Sequence, residues 1–372
     1  MKIEKIKDVE FFNRESETEQ IVNILKFKPR LINFVYGPIN SGKTSLIMNL
    51  IEDLPDDYVV FYINLRGKFI SDYRDFIKVL FTVDKKGIST KIKNFLKKNL
   101  KVLGSAGEKT LYKSKGIPVD VSLLETFFNE NTHEDVFKYL EEYFKATAKH
   151  KTPVLIIDEL QVIGDLKIDD YLIYKLFNFF IRLTKELHLC HVFALSSDSL
   201  FIERVYGEAV MHERCEYLLV DEFDKQTTYN FLKKYKFSKD ERELTWQYFG
   251  GKPLYLADII ETKARNEDIK KTAYDEIQDA SGHLRDMLDK LLYVSPKIMI
   301  DDEEHGVKRD EIIKLLEIFK DKEKIDDRGL RRPEKIYLIK NNILFIDPRK
   351  SIIKPQSKID LNAIREILKE LK

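Results

Sequence analysis

The chain has 372 residues and a mass of 44.0 kDa, enough for two or three domains with real buried cores. Its 64 basic and 63 acidic residues leave a net charge of +1, which excludes wholesale electrostatic binding to nucleic acid and leaves only local patches for such contact. No run approaches the roughly 18 apolar residues of a membrane span, and the start MKIEKIKDVEFF lacks the apolar stretch of a signal peptide, so a cytoplasmic protein without membrane contact is expected.

Cys190 and Cys215 are the only cysteines. They cannot build a disulfide framework or a structural zinc site and read as reduced, packed thiols. Lysine outnumbers arginine by 48 to 16, a thermophile-like composition that says nothing about activity.

In chain order, Leu31 to Tyr36 is a strand-like apolar run, Thr44 to Leu54 has helical spacing, and Tyr58 to Leu65 is strand-like again. This β-α-β pattern implies a parallel sheet and the α/β class. The segment from Arg66 to His150 carries apolar residues at helical spacing, as in Phe69, Tyr73, Phe76, Ile77 and Leu80, and reads as an insertion of several helices. Within it, residues 84–116 hold ten lysines against Asp84 and Glu108, a local net of +8. That stretch is either a solvated face or a patch for a partner or a phosphate backbone.

Val154 to Ile157 and Val192 to Leu195 are buried-strand candidates with polar residues at their C-terminal ends, where ligands of open α/β sheets bind. Tyr217 to Val220 is a fifth strand, and short helices follow from Asp224. Beyond residue 297, two amphipathic helices around Ile312–Phe319 and Ile336–Ile339 precede a hairpin pattern, Ile343 to Ile346 and Ile352-Ile353. Helices followed by a hairpin suggest a winged helix. From Arg328 to Lys358 nine basic residues face only Glu334 and Asp347, a local net of +7, suited to a protein partner or to DNA.

The chemistry sits in Gly37-Pro38-Ile39-Asn40-Ser41-Gly42-Lys43-Thr44, followed by Ser45, which matches G-x-x-x-x-G-K-[ST] between a strand and a helix. Gly37 and Gly42 let backbone amides approach phosphate oxygens, and the helix N-terminus adds partial positive charge. Lys43 is expected against the β- and γ-phosphates and Thr44 on Mg²⁺. The strand from Val154 ends in Asp158-Glu159. Asp158 is expected to hold the magnesium through water and Glu159 to activate an attacking water, with a helix cap as the alternative. Ser196 or Ser197 at the next strand end is expected to sense the γ-phosphate, beside capping by Asp198 or Ser199.

Phe12-Asn13-Arg14-Glu15, the phosphate loop, the strand ending Asp158-Glu159 and Gly250-Gly251-Lys252-Pro253 together resemble the archaeal ATPase family. That family belongs to the signal-transducing ATPases with numerous domains, relatives of the AAA+ and origin-recognition ATPases. The resemblance spans roughly residues 11–260. It implies an additional-strand P-loop core over 1–222 with the insertion at about 66–150, a helical lid over 223–296 and a winged-helix-like domain over 297–372. It also implies ATP or ADP between core and lid, with Asn13 and Arg14 near the adenine or ribose and Pro253 against the base. On the residues alone, Asn13 and Arg14 are only a helix start and Gly250-Gly251 only a helix stop. The family tends to carry Tyr-Gly-Arg after the sensor strand, whereas Tyr206-Gly207 is followed here by Glu208. If that arginine neutralises transition-state charge, the chain has lost it or relocated it to Arg204 or Arg214, and slow turnover or a cation supplied by a partner is expected. The whole reads as an Mg²⁺-dependent ATPase switching a protein partner, with a DNA-associated ATPase and a nucleotide-binding scaffold as the alternatives.

Overall fold

The computed structural model describes residues 11–83, 113–114, 116–119, 133–165, 172–300 and 303–371. Strands β1 (Ile32–Tyr36) and β2 (Tyr58–Asn64) flank the helix Lys43–Asp53. Three short strands follow, β3 (Phe81–Val83), β4 (Lys113–Ser114) and β5 (Ile117–Val119), then β6 (Thr152–Asp158), β7 (His191–Ser196) and β8 (Cys215–Leu219). The main sheet runs β4-β2-β6-β7-β1-β8 with every pairing parallel. β7 is thus inserted between the strand that enters the phosphate loop and the strand that ends in Asp158, which is the additional-strand arrangement.

Every residue of β1 and β7 is buried, the polar Asn33, His191 and Ser196 included, because a parallel sheet is covered on both faces. Alternation then sorts the side chains. Val35, Val60, Val154, Ile156 and Leu195 pack under Leu46, Ile47 and Leu50 of the helix Lys43–Asp53, while Phe34, Phe61, Leu155 and Val192 face Phe144, Phe177 and Phe180 on the other side.

In the interval between β2 and β6, the helices Tyr73–Leu80 and His133–Ala148 appear as expected. The structure adds strands there. β3 pairs with β5, and β4 extends the main sheet beside β2. Runs of two or three residues are too short for a periodicity to register. Almost all of the lysine-rich stretch 84–116 lies outside the described residues.

Helices Lys225–Lys234, Lys239–Phe249, Pro253–Ala264 and Ile269–Lys290 come next. Asp224 caps the first by accepting from Thr227 N, and Ser238 with Glu241 forms a capping box on the second. The second ends at Gly250, φ 66°, and a Cβ on Gly251 would lie 1.9 Å from Phe223 O, so this turn admits only glycine. The long helix Ile269–Lys290 joins two cores: Ala273 and Ile277 pack with the lid residues Phe231 and Phe249, whereas Leu284 and Leu288 pack with Ile312, Leu316 and Ile364.

The C-terminal region comprises β9 (Lys297–Ile300), β10 (Glu303–Gly306), helix Arg309–Glu317, β11 (Ile325–Asp326), helix Arg332–Lys340, β12 (Leu344–Asp347), β13 (Ile352–Pro355) and helix Lys358–Glu370. β11, β13 and β12 form an antiparallel sheet. Its hairpin lies against the loop end of the main sheet: the Tyr36 hydroxyl donates to Asp347 Oδ1 at 2.7 Å, Ile346 N donates to Ser199 Oγ at 3.3 Å, and Arg349 donates to Tyr217 O. No helix among the described residues is long and apolar enough to cross a membrane.

Candidate functional site

The loop 37–44 leaves β1 and turns into the helix Lys43–Asp53. Its close packing explains the glycines, since a Cβ on Gly37 would lie 2.1 Å from Val220 O and Gly42 holds φ 92°. Ser41 is fully buried and faces inward. Lys43 is buried as well, with Nζ donating to Gly37 O at 3.0 Å and Pro38 O at 2.8 Å. Burial pushes its ammonium down to about 8, against the opposing pull of Glu159 and Asp158.

Arg14 fixes the loop from behind. Its guanidinium donates to Ser41 O and Asp221 O, both at 2.7 Å, and lies 4.6 Å from the centre of the Phe223 ring. Asn13 reaches elsewhere, donating to Thr227 Oγ1 at 2.9 Å and so tying the N-terminal segment to the lid.

Parallel register brings the end of β6 beside β2, with Asn64 opposite Asp158. Asp158 is buried, and its Oδ2 accepts from the Thr44 hydroxyl at 2.9 Å and from the Tyr62 hydroxyl at 2.7 Å, while Oδ1 accepts from Glu159 N at 3.0 Å. Glu159 follows at φ 61°, a left-handed kink that turns its carboxylate away from that of Asp158. It is ion-paired with Arg66 and accepts from Gln161 Nε2 at 2.6 Å and Ser197 Oγ at 3.4 Å. Ser196 stands one step back, its hydroxyl 2.9 Å from Gln161 Oε1. Asp198 caps the helix Ser199–Gly207 by accepting from Leu200 N and Phe201 N, so the capping expected at this strand end is present beside the two serines.

A 660 Å³ cavity opens over these groups. Ile39, Asn40, Gly42, Lys43, Thr44 and Ser45 line it from the loop and first turn, Arg66, Glu159 and Ser197 from the strand ends, and Arg14, Phe223, Pro253 and Leu254 from the opposite wall. Gly37, Pro38, Ser41, Asp158 and Ser196 stand behind this lining, and Asn13 does not reach it. Neither expected arginine reaches it. Arg204 pairs with Asp165 at 2.7 Å and lines a neighbouring cavity of 890 Å³, and Arg214, at the opposite end of β8, donates to Val210 O. The arginines on the cavity wall are Arg14 and Arg66.

Nothing in the sequence singles out Arg66, Tyr62 or Gln161, which join the site through the β2-β6 register and the turn after β6.

The family described as an ATPase domain predominantly from Archaea matches residues 11–259. The chain belongs to this archaeal ATPase family. Residues 270–368 of this ATPase-family chain match the C-terminal domain of MJ1010-like uncharacterized ATP-binding proteins. The chain is 47% identical over 373 residues to the uncharacterized ATP-binding protein MJ1659 of Methanocaldococcus jannaschii, covering 99% of each chain. It is 44% identical over 362 residues to the uncharacterized ATP-binding protein PYRAB09480 of Pyrococcus abyssi, covering 96% of this chain and 98% of that one. Among solved structures, the Walker-type ATPase PABY2304 of Pyrococcus abyssi superposes with a TM-score of 0.61 at 17% identity, over 97% of this chain and 99% of that one. That likeness is one of fold.

Proposed function

We propose that the protein binds ATP with Mg²⁺, hydrolyses it to ADP, and uses the exchange as a nucleotide-gated switch on a protein partner. One observation carries the reading: the Thr44 hydroxyl at the end of the loop and the Asp158 carboxylate at the end of β6 meet at 2.9 Å. Two hard oxygens of this kind suit Mg²⁺, which takes one or two protein oxygens and completes its shell with phosphates and water. When bound there, the ion would neutralise charge on the β- and γ-phosphates.

The remaining roles belong to this chain's own groups. Lys43 and the amides of 39–45 hold the phosphates, Glu159 accepts a proton from water once Arg66 has let go, and Ser197 reads the γ-phosphate side. Ser196 acts through Gln161. Asn13 and Arg14 serve by holding lid and loop in place, and Pro253 closes the cavity from the lid. Within this reading the chain divides into a core over 1–222, a lid over 223–296 and a winged-helix-like domain over 297–372, and it works in the cytoplasm.

The switch is supported by Gln356. Its Oε1 accepts from Ile39 N of the loop at 3.4 Å, and its carbonyl accepts from Lys252 Nζ at the lid hinge at 3.1 Å. Loop, lid and C-terminal domain therefore share one residue. A DNA-bound role ranks second. Of the nine basic residues between 328 and 358, Arg328, Arg331, Lys335, Lys354 and Lys358 pair with acidic groups of the chain and Arg349 with a backbone carbonyl, which leaves less charge for a phosphate backbone.

Glu159→Gln tests the hydrolytic part. ATP binding should persist while single-turnover hydrolysis falls by roughly 10²- to 10⁴-fold, the usual worth of a general base. Turnover at the parent rate would remove Glu159 from that role.

A further inference from the structure

Alternation along β2 puts Val60, Tyr62 and Asn64 on the face covered by the helix Lys43–Asp53, and register sets Tyr62 opposite Ile156 and Asn64 opposite Asp158. The Tyr62 ring packs into the apolar layer beneath that helix. Its hydroxyl donates to Asp158 Oδ2 at 2.7 Å, the oxygen that also accepts from Thr44 at 2.9 Å. Asn64 Nδ2 donates to the Tyr62 hydroxyl at 3.2 Å, so the tyrosine's own proton is committed to Asp158.

We propose that Tyr62 is a positioning residue for the divalent cation of this site, acting through Asp158 and Thr44. This inference rests on the Mg-ATP reading above. A carboxylate rotates broadly about its last torsion. Here Glu159 N holds one oxygen and Tyr62 the other, so the group has a single orientation in which Oδ2 takes the Thr44 proton. The Thr44 oxygen then keeps its lone pairs for a cation in the cleft. Without the tyrosine hydroxyl the carboxylate can turn, and the threonine proton loses its fixed acceptor. Partners that orient metal-side groups in this way are worth roughly 10- to 100-fold in metal affinity.

The test is nucleotide binding by the full chain, measured with a fluorescent ADP analogue while Mg²⁺ is titrated from excess EDTA. Tyr62→Phe removes one oxygen atom and keeps the ring. The Mg²⁺ concentration giving half-maximal tightening should rise by roughly 10- to 100-fold, with affinity in EDTA unchanged within about twofold. Electron spin resonance of Mn²⁺ on the ADP-loaded protein should show the same loss. Asn64→Ala frees the tyrosine hydroxyl without touching Asp158 and should shift the midpoint in the same direction by a smaller factor. A midpoint that stays put in both variants, beside a Mg²⁺-dependent parent, overturns the role of Tyr62 alone. So does a loss of affinity equal in EDTA and in Mg²⁺, which marks a packing residue. A parent whose nucleotide affinity ignores Mg²⁺ overturns this inference together with the reading beneath it.

Discussion

Arg66 closes an ion pair on Glu159 across the mouth of the cavity, joining the segment after β2 to the end of β6. The arginine side chain is 67% exposed and the glutamate 10%, so the cation can swing into solvent while the carboxylate stays. As long as Arg66, Gln161 and Ser197 occupy its oxygens, Glu159 is a poor acceptor for a proton from water. Arg66→Ala should therefore raise basal turnover. A pair whose cation stands in solvent is worth up to about 1 kcal/mol, which gives roughly a two- to fivefold increase in kcat with KM little changed. A tenfold fall in kcat would instead assign Arg66 to the charge developing on the phosphate.

Gln356, just after β13, links the C-terminal hairpin to the loop through Ile39 N and donates to Leu344 O of the neighbouring strand β12. Gln356→Leu keeps the volume and removes both hydrogen bonds. If this contact couples the domains, hydrogen exchange of β12 and β13 should differ with and without ATP in the parent and hardly differ in the variant. ATP affinity should change by no more than about tenfold, the scale of one neutral hydrogen bond. A nucleotide-dependent exchange difference surviving intact in the variant would take the coupling away from Gln356.

Glu222 lies where core, lid and C-terminal hairpin meet, facing Lys252, Lys354, Asp221 and Asp360, and its Oε1 is buried with no hydrogen-bond partner among the described residues. Burial pushes its carboxyl up from 4.5 to about 7, with Lys354 and Lys252 pulling the other way. The folded chain thus holds this proton more tightly than the unfolded one, and Glu222 costs stability progressively as pH rises from 4.5 to 7. Glu222→Gln mimics the neutral form. It should match the parent in denaturant unfolding near pH 4.5 and exceed it above pH 7 by up to about 3 kcal/mol. A stability difference that does not depend on pH would contradict the assignment.

The parts of this fold legible in the sequence are those set by local pattern. β6 and β7 announce themselves as apolar runs ending in polar residues, β1 as a strand-like run entering the loop, and the loop by glycines spaced for a strand-to-helix turn. Thr44 and Asp158 could be paired in advance because their types answer one another's chemistry. Arg66 and Tyr62 could not, because they reach Glu159 and Asp158 only through the β2-β6 register, across 93 and 96 residues of chain. Arg204 and Arg214 were reasonable places for a displaced cation by sequence distance. Arg204 leaves the helix Ser199–Gly207 toward Asp165, and Arg214 sits in the turn before β8 and donates to Val210 O; both directions are set by tertiary packing that no local periodicity records. Asn13 shows the same limit, since its partner Thr227 lies 214 residues away.

The most direct test of the account is calorimetric titration of Mg-ATP into the parent chain and into Lys43→Ala. Lys43 is the buried cation of the loop, held against Gly37 O and Pro38 O, and a charge-assisted contact of this kind contributes about 1.5–3 kcal/mol. The account predicts saturable heats for the parent and a loss of at least about tenfold in affinity for the variant. Identical heats and affinity in the two proteins would contradict it.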